Sequence, residues 1–466
     1  MASIQDLPVE LIALVFFHLH SFFGSRALRD NLHNEGRFPN NVALVCRLWC
    51  NIMLRFPEYW GRFAIDLSSK KPLLLEAFAC RKDLPFKVLI YYSSDITSPL
   101  ALNRVEGLEN EQDKVKAVTE ALLPYLHRCN SLEYEVAYSS SLPDLPYILQ
   151  HASDLKCLTL TYLLDNPITL DRDWSSYEDK YPPIWPILKN LSLNATIFMH
   201  LALDLSDWFH GLFDNAEEDA MHLTISRYEF FGKGYHGDSP QYTVFQLLKE
   251  IASLHQTPTG LTFHELTVVP PPIEHSTPCS DSDKSELQLG FLTCENVSRE
   301  FLFALFNHFI INVTQDAVFR SSSFPVNIRL QGSHGLILDA LPRNARAQHI
   351  FQSWTGISLI VRGCDWFNDA FLECLFELGV NAEDCAAPRM RFIVIEDCTN
   401  FTFAALKHFI EERQAWAREL ERYYGRTRSI ISLIVSGKGP HLTNEESRWF
   451  EENIRRVIFD FQEASI

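Results

Sequence analysis

The chain has 466 residues, 47% of them apolar, which is material for more than one compact core. Against 41 lysines and arginines stand 59 aspartates and glutamates, a formal charge of -18 that repels phosphate backbones and anionic headgroups, so neither a nucleic acid nor a membrane is expected as a partner. The 11 cysteines are odd in number and form no CxxC pair, which argues against a disulfide framework or a zinc site and fits reduced thiols in the cytoplasm or nucleus.

The first element is a helix. Asp6 is placed to cap it, and Pro8 sits in the first turn, where the missing amide proton costs nothing. The apolar run Leu11–Phe23 is shorter than the ~20 residues of a spanning helix. It follows Asp6 and Glu10 and contains His18 and His20, unlike a signal peptide. Leu11, Ile12, Leu14, Val15 and Phe16 make an apolar face wider than one neighbouring helix covers, so part of it is available to a partner. A polar insertion, Ser25–Asn41, separates this helix from a second one. There Val42, Leu44, Val45, Cys46, Leu48, Trp49, Ile52 and Met53 resume helical spacing, and Phe56, Pro57, Glu58, Tyr59 and Trp60 close it.

Next come short strands around Ile65 and Leu67 and around Val88 and Ile90, with a helix over Pro72–Cys80 between them. Leu155, Leu158 and Leu160, and again Leu188, Leu191 and Leu193, read LxxLxL; Leu223 with Ile225 and Leu266 with Val268 continue the series. A repeat is clearest near the C-terminus. Leu359, Val361, Cys364 and Phe367 are answered by Ile393, Ile395, Cys398 and Phe401. Two looser copies fit the same frame, one on Leu289, Phe291 and Cys294 and one on Ile328, Leu330 and Ser333. One strand and one helix cannot bury their own apolar face, so such units must stack and share a core. Val269–Glu286, rich in proline, serine and acids, is expected as a mobile surface loop, as are Asp165–Pro186 and Phe231–Gln241. Asn444–Phe461 is expected as a helix that caps the last unit.

The chemical alternatives are weak. Cys294, Cys364 and Cys398 recur at one expected repeat position but in different units, which fits small side chains tucked under a turn and not a metal or redox site. His18 and His20 lie ~200° apart around a helix and cannot share one ion. Gly232, Gly234 and Gly237, and Gly437 with Gly439, lack phosphate-loop spacing, and no GxSxG or HExxH motif occurs. No enzyme, no metal and no cofactor is expected.

The segments LPVELIALVFFHL and ALVCRLWCNIMLRFPEYW resemble the F-box pattern of LP, an apolar helix, VC, W and a terminal P and W. The strand motifs resemble degenerate leucine-rich repeats, and the combination is similar to that of many fungal F-box proteins. The long Ser25–Asn41 insertion departs from the F-box pattern. This resemblance implies an α/β chain: an N-terminal helical F-box-like module over residues 1–62, a transition region over 63–150, and a leucine-rich-repeat-like α/β solenoid with a capping helix over 151–466. It implies that Leu7, Pro8, Glu10, Leu11, Val15, Phe16, Val45, Cys46, Trp49 and Ile52 build or display a face for the linker subunit of a cullin-RING ubiquitin ligase. The repeats would then bind a protein substrate for ubiquitination, with Arg329, Arg362 and Glu396 as candidate contacts on the outward strand positions. Two other readings remain: a ligase-independent interaction scaffold whose F-box-like helices cap the solenoid, and an enzyme whose site is assembled from remote residues.

Overall fold

The computed structural model describes residues 7–24, 39–68, 78, 84–92, 105–164, 188–214, 221–231, 242–254, 257–269, 284–325, 328, 330–343, 345, 347–377, 387–424 and 429–461. The chain divides into two compact units, Met1–Asn194 with Asp204–Ala220 and Ala195–Leu203 with Met221–Ile466. Both are α/β with parallel strand pairs.

In the first unit, α1 (Val9–Gly24) starts on Pro8, whose carbonyl accepts from the amides of Leu11 and Ile12. An extended Cys46 (φ -161°) separates α2 (Asn40–Ala43) from α3 (Arg47–Leu54). A single tight turn, Pro57–Trp60, then buries Trp60 completely; its indole N–H donates to the Met53 carbonyl at 3.0 Å, and its ring stacks on Phe63, 6.0 Å between centroids. Phe63 belongs to β1 (Arg62–Asp66). The next strands are β2 (Phe86–Tyr91), β3 (Cys129–Tyr138), β4 (Cys157–Leu164) and β5 (Asn190–Asn194), side by side in chain order.

The leucine motifs fall in register here: Leu158 pairs with Leu191 and Leu160 with Leu193. β3 escapes the leucine pattern because Cys129 and Tyr134 take two of its three positions around Leu132. Tyr134 is wholly buried, and its hydroxyl shares a 2.9 Å hydrogen bond with Thr119 of the helix Val105–Leu122. From the same helix the buried Glu111 carboxylate accepts from the amides of Ala137 and Tyr138, at 2.7 and 3.1 Å, which satisfies the end of β3. The helix expected over Pro72–Cys80 lies outside the described residues except for Phe78, which stacks on Phe63 at 3.9 Å.

The strands of the second unit are β6 (His222–Phe231), β7 (Gly260–Val269), β8 (Ser285–Leu289), β9 (Phe291–Glu295), β10 (Phe309–Val313), β11 (Asp316–Arg320), β12 (Leu330–Gln331), β13 (Gly335–Asp339), β14 (Ser358–Arg362), β15 (Phe392–Glu396), β16 (Ser432–Gly437) and β17 (Arg456–Phe461). The main sheet takes them in the order β6, β7, β9, β11, β13, β14, β15, β16, β17, and β8, β10 and β12 form a separate small sheet. Two inward rows make the core: Leu261, Leu292, Ala317, Leu336, Leu359, Ile393 and Leu433, then Phe263, Cys294, Phe319, Leu338, Val361, Ile395 and Val435, all buried. Helices cover this face. Phe301 of Arg299–His308 meets Phe263 at 5.1 Å, and Phe403 of Phe403–Tyr424 meets Phe459 at 5.6 Å.

The 34-residue repeat appears directly as strand register, with Leu359 opposite Ile393 and Val361 opposite Ile395. Its looser copies are displaced. Leu292, not Leu289, aligns with Leu359, so Cys294 is a strand core residue in the row of Val361 and does not share the place of Cys364 and Cys398. Likewise Leu336, not Ile328, aligns with Leu359. The slip arises because Leu289 and Leu330 are buried strand residues of the small sheet and carry the same apolar spacing. Cys364 and Cys398 do tuck under their turns, their thiols donating to the carbonyls of Arg362 and Glu396; in β11 the equivalent place is held by Ser322, which donates to Arg320 at 2.9 Å. Burial raises the thiol pKa to about 12 at Cys364 and about 11 at Cys398, so both are protonated at neutral pH.

The terminal element is also corrected. Asn444–Phe461 is not one helix: a helix over Asn444–Asn453, with Thr443 and Glu446 forming a reciprocal cap, is followed by β17. Val457, Phe459 and Phe461 alternate with the exposed Arg456, Ile458 and Asp460, a period of two that no helix face can use. Of the expected loops, Asp165–Pro186 lies outside the described residues. So does Phe231–Gln241 beyond Phe231, and so does Val269–Glu286 apart from Val269 and the residues leading into β8.

One feature recurs across the sheet. One step after the row Ser226, His264, Glu295, Arg320, Asp339, Arg362, Glu396 and Ser436, the residues Arg227, Glu265, Asn296, Ser321, Ala340, Gly363, Asp397 and Gly437 all take positive φ. From Asn296 to Asp397 each of them donates its amide to the carbonyl of the next strand's residue in that row, at 2.8–3.1 Å. The left-handed turn therefore extends the ladder by one bond. Six of the eight are not glycine and bear a cost of roughly 1–2 kcal/mol each, offset at Asn296, Ser321, Ala340 and Asp397 by that bond and by the buried residue that follows.

Candidate partner-docking faces

In the three N-terminal helices, two stripes of α1 face opposite ways. Ile12 and Phe16 are 2% and 1% exposed, and Phe16 meets Trp49 of α3 edge to face at 5.1 Å, with Ile52 and Met53 buried beside them. The other stripe is Leu11, Leu14 and Val15, at the i, i+3, i+4 spacing of one helix face, flanked by Leu7, Val9 and Phe17. All six are exposed, Phe17 to 54%, and Leu44, Val45 and Leu48 at the α2–α3 junction are exposed too, Val45 to 58%. So many accessible large apolar side chains within a few turns are far more than the scattered singles of an ordinary surface.

The sequence-expected set therefore divides by role. Leu7, Pro8, Glu10, Leu11, Val15 and Val45 are displayed; Cys46 and Trp49 are half-buried; Phe16 and Ile52 are core and hold the displayed stripe in place. Val9, Leu14, Phe17, Leu44 and Leu48 are exposed as well and were missing from that set; of these Leu14 follows the i, i+3, i+4 spacing of Leu11 and Val15. Among the described residues no helix is long and apolar enough to cross a membrane.

The second candidate face is the last outward row of the second unit's sheet, where His264, Glu295, Arg320, Asp339, Arg362 and Glu396 lie on consecutive strands in register. Charge alternates along it from Glu295. Arg320 bonds Asp339 at 2.8 Å and reaches Glu295 at 3.4 Å; Asp339 first, and Glu295 after it, raise the Arg320 pKa. Arg362 is paired with Glu396 on the next strand. The two substrate candidates that can be placed thus neutralise each other, and the third, Arg329, lies outside the described residues.

Neither a protein-family model nor a curated protein matches this chain. Among the described residues no three histidine, cysteine or carboxylate side chains converge as metal ligands. The arrangement offers apolar area and paired charge, the chemistry of a protein interface.

Proposed function

We propose that the chain is the substrate-recognition adaptor of an SCF-type cullin-RING ubiquitin ligase, with the F-box-like α1–α3 face docking on the linker subunit. The strand-and-connector units read as turns of a degenerate leucine-rich-repeat-like solenoid that presents a protein substrate in the cytoplasm or nucleus. The chain itself would catalyse nothing. The observation that carries this reading is the exposed stripe of Leu7, Leu11, Leu14, Val15, Phe17 and Val45 on a module whose core, Phe16, Trp49 and Ile52, is otherwise closed. An apolar face of this kind is kept accessible at a cost in solubility, which a permanent partner removes.

The test is co-purification of the full chain with the linker subunit, beside a variant carrying Leu7→Ala, Pro8→Ala and Leu11→Ala. Stoichiometric binding by the parent and its loss in a variant with unchanged circular dichroism and melting supports the adaptor. No binding by the parent overturns it and leaves the second reading, a ligase-independent scaffold. The buried stacking of Trp60 on Phe63 favours that reading, since it makes the module a lid on β1.

A further inference from the structure

We propose that the outward face of β11, β13, β14, β15, β16 and β17 receives an amphipathic helix of the partner protein, lying across the strands. This rests on reading the second unit as partner-binding, and it names the chemistry of what is bound.

The central outward row of those six strands is Val318, Ile337, Ile360, Val394, Ile434 and Ile458, side by side in register. All are partly accessible, Ile458 to 38%. Toward β6 the same row turns to Thr224, Thr262 and Thr293, so the sheet tolerates a hydroxyl there and the aliphatic choice is local. The chain's own helices pack on the opposite, inward rows. At a strand spacing of ~4.8 Å the aliphatic row is about 24 Å long, the length of roughly 16 helical residues.

Charge bounds the row on both sides at β17. At the strand starts the outward row runs Asp316, Gly335, Ser358, Phe392, Ser432 and Arg456; Arg456, with Arg391 and Arg455 just before their strands, is exposed and makes no ion pair among the described residues. At the strand ends Asp397 and Asp460 are exposed, beside a ladder that has already paired Arg362 with Glu396. On β17 Arg456 and Asp460 are four residues apart, or about 13 Å, against a helix diameter of about 10–12 Å. A helix with an apolar stripe, acids on one flank and bases on the other, would match both rims.

An extended peptide fits poorly. On a sheet face it finds no free backbone partners, and its amides would be left against aliphatic side chains, whereas a helix satisfies its own. A helical turn of 5.4 Å also nearly matches the strand spacing, about one stripe residue per strand.

The probe is a displayed library of random 16-residue peptides, selected on the full chain. The expected winners carry apolar residues at i, i+3, i+4 and i+7 with acids and bases on opposite flanks, become helical on binding, and lose at least 10-fold in affinity against Ile360→Thr/Ile434→Thr. That threonine pair mimics the row as it stands at β7 and β9 and should fold; Ile434→Asp is the harsher second variant. Arg391→Glu/Arg456→Glu should weaken the same peptides and reduce the salt dependence of binding. Enrichment of extended or proline-rich peptides, no enrichment, or binding unchanged by the threonine pair overturns the proposal. Linker-subunit binding is measured on the same variants. Helical peptides without linker binding would sink the adaptor reading alone, and linker binding without helical peptides would sink this one alone.

Discussion

The α1–α3 face and the last strand row of the second unit treat accessible surface in opposite ways. The first exposes the large apolar side chains of Leu11, Val15 and Val45, while the second pairs its charges with one another, Arg320 with Asp339 and Arg362 with Glu396. A surface that is unsatisfied when alone gains on meeting a partner; one already satisfied gains little and mainly resists misalignment. Exposed charge on a strand is therefore a poor guide to a contact, and exposed aliphatic area on a closed helical module a better one.

The largest expected effect separates core from face within α1. Phe16→Ala should cost about 3–5 kcal/mol, since an almost fully buried ring leaves a cavity, whereas Leu11→Asp should stay within about 0.5 kcal/mol in urea denaturation. Linker binding should show the reverse order once the folded fraction is accounted for. If Leu11→Asp also unfolds the chain, the stripe is covered and the comparison fails.

A smaller effect tests the paired row. Both partners of Arg362–Glu396 are 33–40% exposed, so solvent screens the pair, and a double-mutant cycle to alanine should return a coupling of about 0.2–1 kcal/mol that shrinks at 1 M salt. Zero coupling would leave the alternation along the row without energetic content. Partner affinity should change little in the charge-swapped variant Arg362→Glu/Glu396→Arg.

The smallest effect concerns a group that is neither displayed nor paired. His222 sits over Gly260, shares a 2.8 Å hydrogen bond with Thr262, and burial lowers its pKa below 6.5. Below pH 6.5 the unfolded chain takes up the proton first, so stability should fall as pH drops through 6.5 and level off below the folded pKa. His222→Asn should flatten that part of a melting-temperature profile; an unchanged slope would assign it to other groups.

Much of the architecture was legible in the spacing of apolar residues. LxxLxL placed β4 and β5, and the 34-residue repeat placed β14 opposite β15, because an inward strand face requires apolar residues at alternate positions whatever follows them. β3 was missed where Cys129 and Tyr134 do the work of leucine, and β17 was read as helix because RVIFDF is too short to separate the two periods. The register of β9 and β13 slipped because a second small sheet repeats the apolar spacing beside each of them. At the N-terminus the motif fell on an exposed apolar face, but did not tell which residues it shows. Phe16 and Leu11 look equally apolar in a sequence, and only the packing of Trp49 separates them.

The column of left-handed turns has a consequence for how such a chain can change over generations. Paired arginine and carboxylate stand 19 residues apart in one turn and 34 in another, yet each turn closes at the same register on a residue of positive φ. Length can vary in the connectors at no cost to the ladder, while a single residue gained or lost between a strand and its turn would move the left-handed residue off the carbonyl it bonds. Insertions should accumulate in the connectors, and the strand-to-turn segments should keep their length even where their residues drift.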